Sequence, residues 1–166
     1  MGDAWSDINY FLNFSLEKKE IIRLSLWYKK GQTVKRVDKL KEILKLMKYK
    51  ERIKLTEEEA TEPKNNWRLG YKYPFIPTEI QWKPNKSKKI CYQFDGKSKK
   101  AKNFSSKEIE AHILNYIKEK GYRLIRLGWE KSLKQCALEA SESELFIGID
   151  SGMCYLAASV GIPIIF

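Results

Sequence analysis

Apolar positions along the chain change their spacing in a way that marks out successive helices and strands. Trp5, Ile8, Phe11 and Leu12 recur at helical spacing, residues 21–28, "IIRLSLWY", are strand-like, and Val37, Leu40, Leu44 and Met47 mark a second amphipathic helix. A weaker strand is expected over residues 52–55. Between residues 57 and 89 the period disappears, and Pro63, Pro74, Pro77 and Pro84 among scattered aromatics indicate an ordered but irregular connector. No internal repeat is evident.

From Lys89 the pattern becomes regular. Residues 90–94 form a strand, and Asp95-Gly96 begins a lysine-rich loop. A Ser-x-x-Glu capping box at Ser105 and Glu108 opens a helix through Ile109, Ile113 and Ile117 that Gly121 closes. "YRLIRLG" is the next strand and residues 133–140 the next helix. Residues 145–149 are a short, nearly unbroken apolar run, too short for a helix and suited to a strand covered on both faces of a parallel sheet. Asp150, Ser151 and Gly152 bring turn and cap chemistry, so a helix is predicted over 153–160 with Leu156, Ala157 and Val160 on one face. Gly161 and Pro163 end it, and residues 164–166 are a final strand. The order β-α-β-α-β-α-β calls for a doubly wound, Rossmann-like, mostly parallel sheet. A boundary is placed near Asn85, giving a small α/β lobe with its connector over 1–84 and the Rossmann-like domain over 85–166.

Composition narrows the class. The chain has 166 residues, 43% of them hydrophobic, enough to fill a core. No run approaches the roughly 18 apolar residues of a transmembrane helix, and the polar N-terminus lacks a signal peptide's apolar block, so a cytoplasmic protein is expected. Cys91, Cys136 and Cys154 are widely separated in apolar surroundings and read as small buried hydrophobes in a reducing compartment, with neither a disulfide nor a metal site. With 32 Lys and Arg against 21 Asp and Glu, the net charge of +11 favours an anionic partner. Much of it lies in "KPNKSKKICYQFDGKSKKAK", residues 83–102, which fits a solvated surface, a nucleotide phosphate, an acidic glycolipid or membrane surface, or nucleic acid. No recognisable RNA-binding signature interleaves the aromatics with Arg, which leaves nucleic acid unsupported. The single histidine, His112, is read as an interfacial helix residue, and one histidine makes no Ser/His/Asp triad and no His-rich metal cluster.

The run "SLKQCALEASESELFIGIDSGMCYLAASVGIPIIF" resembles the C-terminal signature of the heptosyltransferase-like glycosyltransferases of family nine: a strand leading to Asp-Ser-Gly, a helix with Leu-Ala-Ala, then Gly-x-Pro and a strand. Upstream, "QFDGKSKKAKNFSSKEIEAHILNYIKEKGYRLIRLG" resembles that family's preceding strand, Lys-containing loop, helix and strand. Together they cover about half the chain. The resemblance implies a GT-B fold of two Rossmann-like lobes, here in shortened form, and an inverting, metal-independent transfer of sugar from a nucleotide-sugar donor to a hydroxyl acceptor on a glycan or glycolipid. No cofactor is implied, because the nucleotide sugar is a substrate.

The same resemblance assigns candidate residues, each with a plainer alternative. Asp3, in "MGDAW", matches the presumed catalytic base of the family's first loop, or is the N-cap of the helix that follows; Asp7 is a second candidate. Lys102 matches the loop lysine that meets donor phosphate or the reacting centre, or is one surface lysine among many. Glu130 resembles the acidic residue that binds the donor ribose, or is an exposed carboxylate at a helix start. Asp150, Ser151, Gly152 and Met153 match the phosphate-binding turn, and simple capping of the helix is compatible with that role. Tyr155 stands where the family often has His, and it donates a hydrogen bond without carrying positive charge. The family's strand ahead of Gly-Asp has no counterpart, and members continue past the final strand with a further loop and helix. A compressed enzyme, a fragment and a non-catalytic nucleotide-sugar-binding module are all compatible with that pattern. A basic nucleic-acid-binding or phage structural protein is the more distant alternative.

Overall fold

The structure is a computed structural model that describes residues 2–25, 35–56, 74–95, 106–128 and 130–165. The polypeptide divides into two compact units, Met1–Thr78 and Glu79–Phe166. The second begins ahead of Asn85.

In the first unit, α1 (Gly2–Lys18) precedes β1 (Ile22–Ser25), α2 (Lys35–Leu46), a 3-10 turn at Lys50–Arg52 and β2 (Ile53–Thr56). The two strands pair in parallel with Ile22 opposite Ile53, so α2 lies in the crossover of a small β-α-β unit. Of the apolar period seen in the sequence, Trp5, Ile8 and Leu12 of α1 and Met47 just beyond α2 are fully buried and Leu44 is buried, while Phe11 and Leu40 are half-buried; Ile43 of α2 joins the core, and the two helices pack together. The helix begins at Gly2, so Asp3 is inside its first turn and not ahead of it as a cap. Asn9 is buried on α1, where its Oδ1 accepts from the Ile76 N–H at 2.7 Å; Asn13 Nδ2 donates to the Pro74 carbonyl at 3.1 Å. These bonds and the Met47–Thr78 bridge fasten the irregular segment 74–78.

The second unit contains β3 (Lys89–Gln93), α3 (Lys107–Glu119), β4 (Arg123–Arg126), α4 (Leu133–Ser141), β5 (Leu145–Gly148), α5 (Gly152–Val160) and β6 (Ile164–Ile165). All four strands are parallel, in the order β4-β3-β5-β6, which is the alternating pattern that the sequence predicts. α4 and α5 pack together, and the right-handed crossovers that parallel β-α-β units adopt put them on the face opposite α3 in this strand order. Phe146, on the α4/α5 face, is fully buried opposite Cys91 of β3, as are Cys136, Ala137, Leu156, Ala157 and Val160 of the covering helices. α3 is capped by Ser106, one residue after the expected Ser105, which lies outside the described residues. Its Oγ accepts from the Glu108 and Ile109 N–H groups because Ser106 is extended, with φ −152° and ψ 126°. His112 is exposed, not interfacial: it lies five residues from Ile117, on the far side of the helix from the residue that α3 buries.

Residues 79–88 run along the amino edge of this sheet. Trp82 donates through its backbone N–H to Val160 and through Nε1 to Ser143, at 2.9 and 2.7 Å, and Gln81 Nε2 reaches the Ser159 carbonyl at 3.2 Å. Gly148 is required where β5 meets β3, because a Cβ there would lie 2.6 Å from the Gln93 carbonyl oxygen and 2.7 Å from the Phe146 ring. No described helix is long and apolar enough to cross a membrane.

Candidate functional site

The carboxyl edge of the four-stranded sheet gathers most of the residues that the sequence singles out. β3 and β5 are neighbours whose chains leave in opposite senses, β3 into α3 on one face and β5 into α5 on the other. Such a switch in connection opens a crevice at the strands' carboxyl ends in α/β sheets. Here that point is bounded by Gln93 at the end of β3 and by Asp150, Ser151 and Gly152 at the entry to α5.

Ser151 is the N-cap residue of α5, extended at φ −152° and ψ 171°, yet its side chain makes no capping bond. Its Oγ donates instead to Oε1 of Gln93 at 2.5 Å. The amides of Gly152, Met153 and Cys154 precede the first backbone bond of the helix, from the Tyr155 N–H to the Ser151 carbonyl at 3.3 Å. Three N–H groups and the positive end of the helix dipole therefore meet at this turn without help from the cap side chain. Gly152 and Met153 are buried, so Met153 offers the site its backbone N–H and puts its side chain into the core.

Asp150 is exposed beside that turn and accepts a 2.5 Å hydrogen bond from the Tyr155 hydroxyl. Tyr155 therefore orients a carboxylate at the helix start. Glu130 is exposed after β4, and its carboxylate folds back over Gly128, where a Cβ would lie 2.2 Å from Oε2. β4 is two strands from β5, so Glu130 shares the carboxyl edge with Ser151 at a lateral distance of roughly 10 Å. Between them, Asp95 and Arg126 form a 2.9 Å ion pair, half exposed on both sides and so of small energetic weight. Lys102 lies outside the described residues. Asp3 belongs to the first unit, and its side chain lies outside what the structure describes.

Gln93, Asp95 and Arg126 were not singled out from sequence. A signal for Gln93 existed: a lone amide at an inward position of the apolar run "ICYQF" is buried polar surface that needs a partner. The three cysteines are free and buried. Burial pushes the Cys91 thiol up to about 12 and the Cys154 thiol to about 11, and it raises Cys136 as well, so none is a ready thiolate. Among the described residues, no three His, Cys, Asp or Glu side chains come together to hold a metal ion.

No protein-family model matches the sequence, and no curated protein matches it. The fold does have solved counterparts. The chain is similar to the iron-containing dodecameric glycosyltransferase TibC from enterotoxigenic E. coli H10407, with a TM-score of 0.68 and 13% identity over 98% of this chain and 54% of that one. It is likewise similar to the dodecameric iron-containing heptosyltransferase TibC in complex with ADP-D-β-D-heptose, with a TM-score of 0.66 and 13% identity over 98% of this chain and 53% of that one. The chain thus spans about half the length of the structures it matches. Parallel β-sheets flanked by helices and these counterparts together give a Rossmann-like α/β protein with a glycosyltransferase-like fold.

Proposed function

We propose that the second unit binds a nucleotide sugar at the turn between β5 and α5 and that the protein transfers the sugar to a hydroxyl acceptor. The carrying observation is the start of α5, where Ser151 bonds to Gln93 in place of capping the helix, and among the described residues no side chain accepts from the amides of Gly152, Met153 and Cys154. Helix N-termini of this kind hold phosphate oxygens. The ADP-D-β-D-heptose in the TibC complex is a ligand of the chemical class expected here.

In this reading the acceptor hydroxyl attacks the anomeric carbon as the bond from that carbon to the diphosphate oxygen breaks, with inversion. The hydroxyl proton passes to a carboxylate base, for which Asp3 is the candidate. The electron pair of the breaking bond leaves with the nucleotide diphosphate. Its growing negative charge is met by the α5 amides and by Lys102, which supply the stabilisation without any cofactor. Glu130 accepts from the donor ribose. The acceptor is a glycan or glycolipid, and the basic composition suits an acidic one or one presented at a membrane surface.

The test is a thermal-shift screen with nucleotide sugars, ADP and inorganic pyrophosphate, because a ligand bound only by the folded form raises its stability. Ser151→Asp should abolish the response, and an unchanged response would remove the phosphate site. Asp3→Asn should retain donor binding and lose transfer. Donor binding by the unaltered protein without transfer to any acceptor favours a nucleotide-sugar-binding module. Salt-sensitive binding to polynucleotide with no response to diphosphates favours a nucleic-acid-binding protein.

A further inference from the structure

Gln93 is the one buried side chain among the described residues with a polar atom left unpartnered: the residue is fully buried, and its Nε2 has no hydrogen-bond acceptor. An orphaned N–H donor is among the least tolerated features of a protein interior, and an apolar side chain of similar size would fill the same space without it. The retained amide sits against Ser151, at the entry to a helix whose first three amides are uncapped.

The two ends of the carboxamide explain the arrangement. With Oε1 toward Ser151, the hydroxyl proton is directed inward and Nε2 is stranded. A half-turn about the last side-chain bond exchanges the ends. Nε2 then donates to Oγ, the serine proton is released to point over the Gly152 and Met153 amides, and the atom left unpaired is a carbonyl oxygen, which interiors tolerate better than a donor. An anion at the helix start rewards the second arrangement, because the released hydroxyl adds one more donor to it.

We propose that Gln93 is a positioning residue that turns the Ser151 hydroxyl proton toward a bound diphosphate, resting on the site reading given above. It acts through Ser151 and does not itself touch the ligand. The register that places it there is fixed, since Gln93 pairs with Gly148 and accepts the Ile149 N–H at 3.1 Å through its own carbonyl.

The experiment is a double-variant cycle on the full chain, with inorganic pyrophosphate and ADP as probes and binding followed by calorimetry. Gln93→Met removes both ends of the amide and the stranded donor, so the variant should be as stable as the parent or more so. It should nevertheless bind pyrophosphate roughly tenfold more weakly, the worth of one hydrogen bond to a charged group. Ser151→Ala should lose a similar factor, and the double variant should lose no more than either alone. Gln93→Leu is the second apolar variant should the first fail to fold. Pyrophosphate binding equal to the parent in the Gln93 variants, or losses that multiply in the double variant, overturns the proposal and leaves the diphosphate site standing. Absence of any response to pyrophosphate and ADP in the parent protein overturns the site and the proposal together.

Discussion

The Tyr155 hydroxyl donates to the Asp150 carboxylate at 2.5 Å, tying the first turn of α5 to the loop that leads into it. That bond engages the Asp150 carboxylate with the Tyr155 side chain, next in sequence to a helix start that takes no bond from its cap side chain. Tyr155→Phe frees Asp150 to turn over the amides of Gly152, Met153 and Cys154. The expected outcome is weaker pyrophosphate binding with little change in the urea midpoint, because the freed carboxylate then caps the amides and offsets the lost hydrogen bond.

Gly148 and Gly128 both lie at strand ends, but substitution should affect them differently. At Gly148 an added methyl meets the Gln93 backbone carbonyl at 2.6 Å, and neither strand can move without breaking the pairing of β3 and β5. Gly148→Ala should cost about 1–3 kcal/mol by overpacking. At Gly128 the three atoms nearest an added methyl all belong to the end of the exposed Glu130 side chain, which can swing away. Gly128→Ala should leave the unfolding midpoint near that of the parent, and an equal loss in the two variants would refute this distinction.

Asn9, together with Asn13, attaches residues 74–78 to α1. Asn9→Ala leaves the Ile76 N–H without its 2.7 Å acceptor in a buried position, which should cost about 1–3 kcal/mol. Hydrogen exchange at Ile76 should accelerate in the variant.

Ser106→Ala removes the one side-chain oxygen that, among the described residues, accepts from the Glu108 and Ile109 amides. The expected loss is about 1 kcal/mol, read by urea denaturation, and Ser106→Asp should restore most of it.

The buried thiols set an alkaline limit. Because burial raises Cys91 to about 12 and Cys154 to about 11 from 9.0, the unfolded chain releases these protons first as pH rises. Their stabilising contribution is complete below pH 9 and is lost progressively as pH climbs toward the folded-state values, at up to about 1.4 kcal/mol per pH unit for each thiol. Cys91→Ala should flatten the fall in stability measured between pH 9 and 11. At pH 8 all three thiols should resist alkylation in the folded protein and react on unfolding.

Helices and strands were legible in the sequence wherever burial follows a period. Trp5, Ile8 and Leu12 fall on one side of α1, and Leu156, Ala157 and Val160 on one side of α5, because a helix returns the same face to the core every three to four residues. The turn at Asp150 and Ser151 was legible from its own side-chain chemistry. The position of the α3 cap was misread by one residue, since two adjacent serines offer the same oxygen and only the backbone dihedrals select Ser106. His112 was misplaced because a single polar residue within a helix does not state how far the covered face extends.

The sequence by itself determined the alternation of strands and helices and the turn that opens α5, since both are set by residues near one another in the chain. The tertiary structure decided what that turn faces. Gln93 and Ser151 are 58 residues apart, and only the parallel pairing of β3 with β5, in the register that sets Gln93 opposite Gly148, brings the amide to the hydroxyl. Strand order and register are long-range choices fixed by packing of the whole sheet, so no local pattern of residues specifies them.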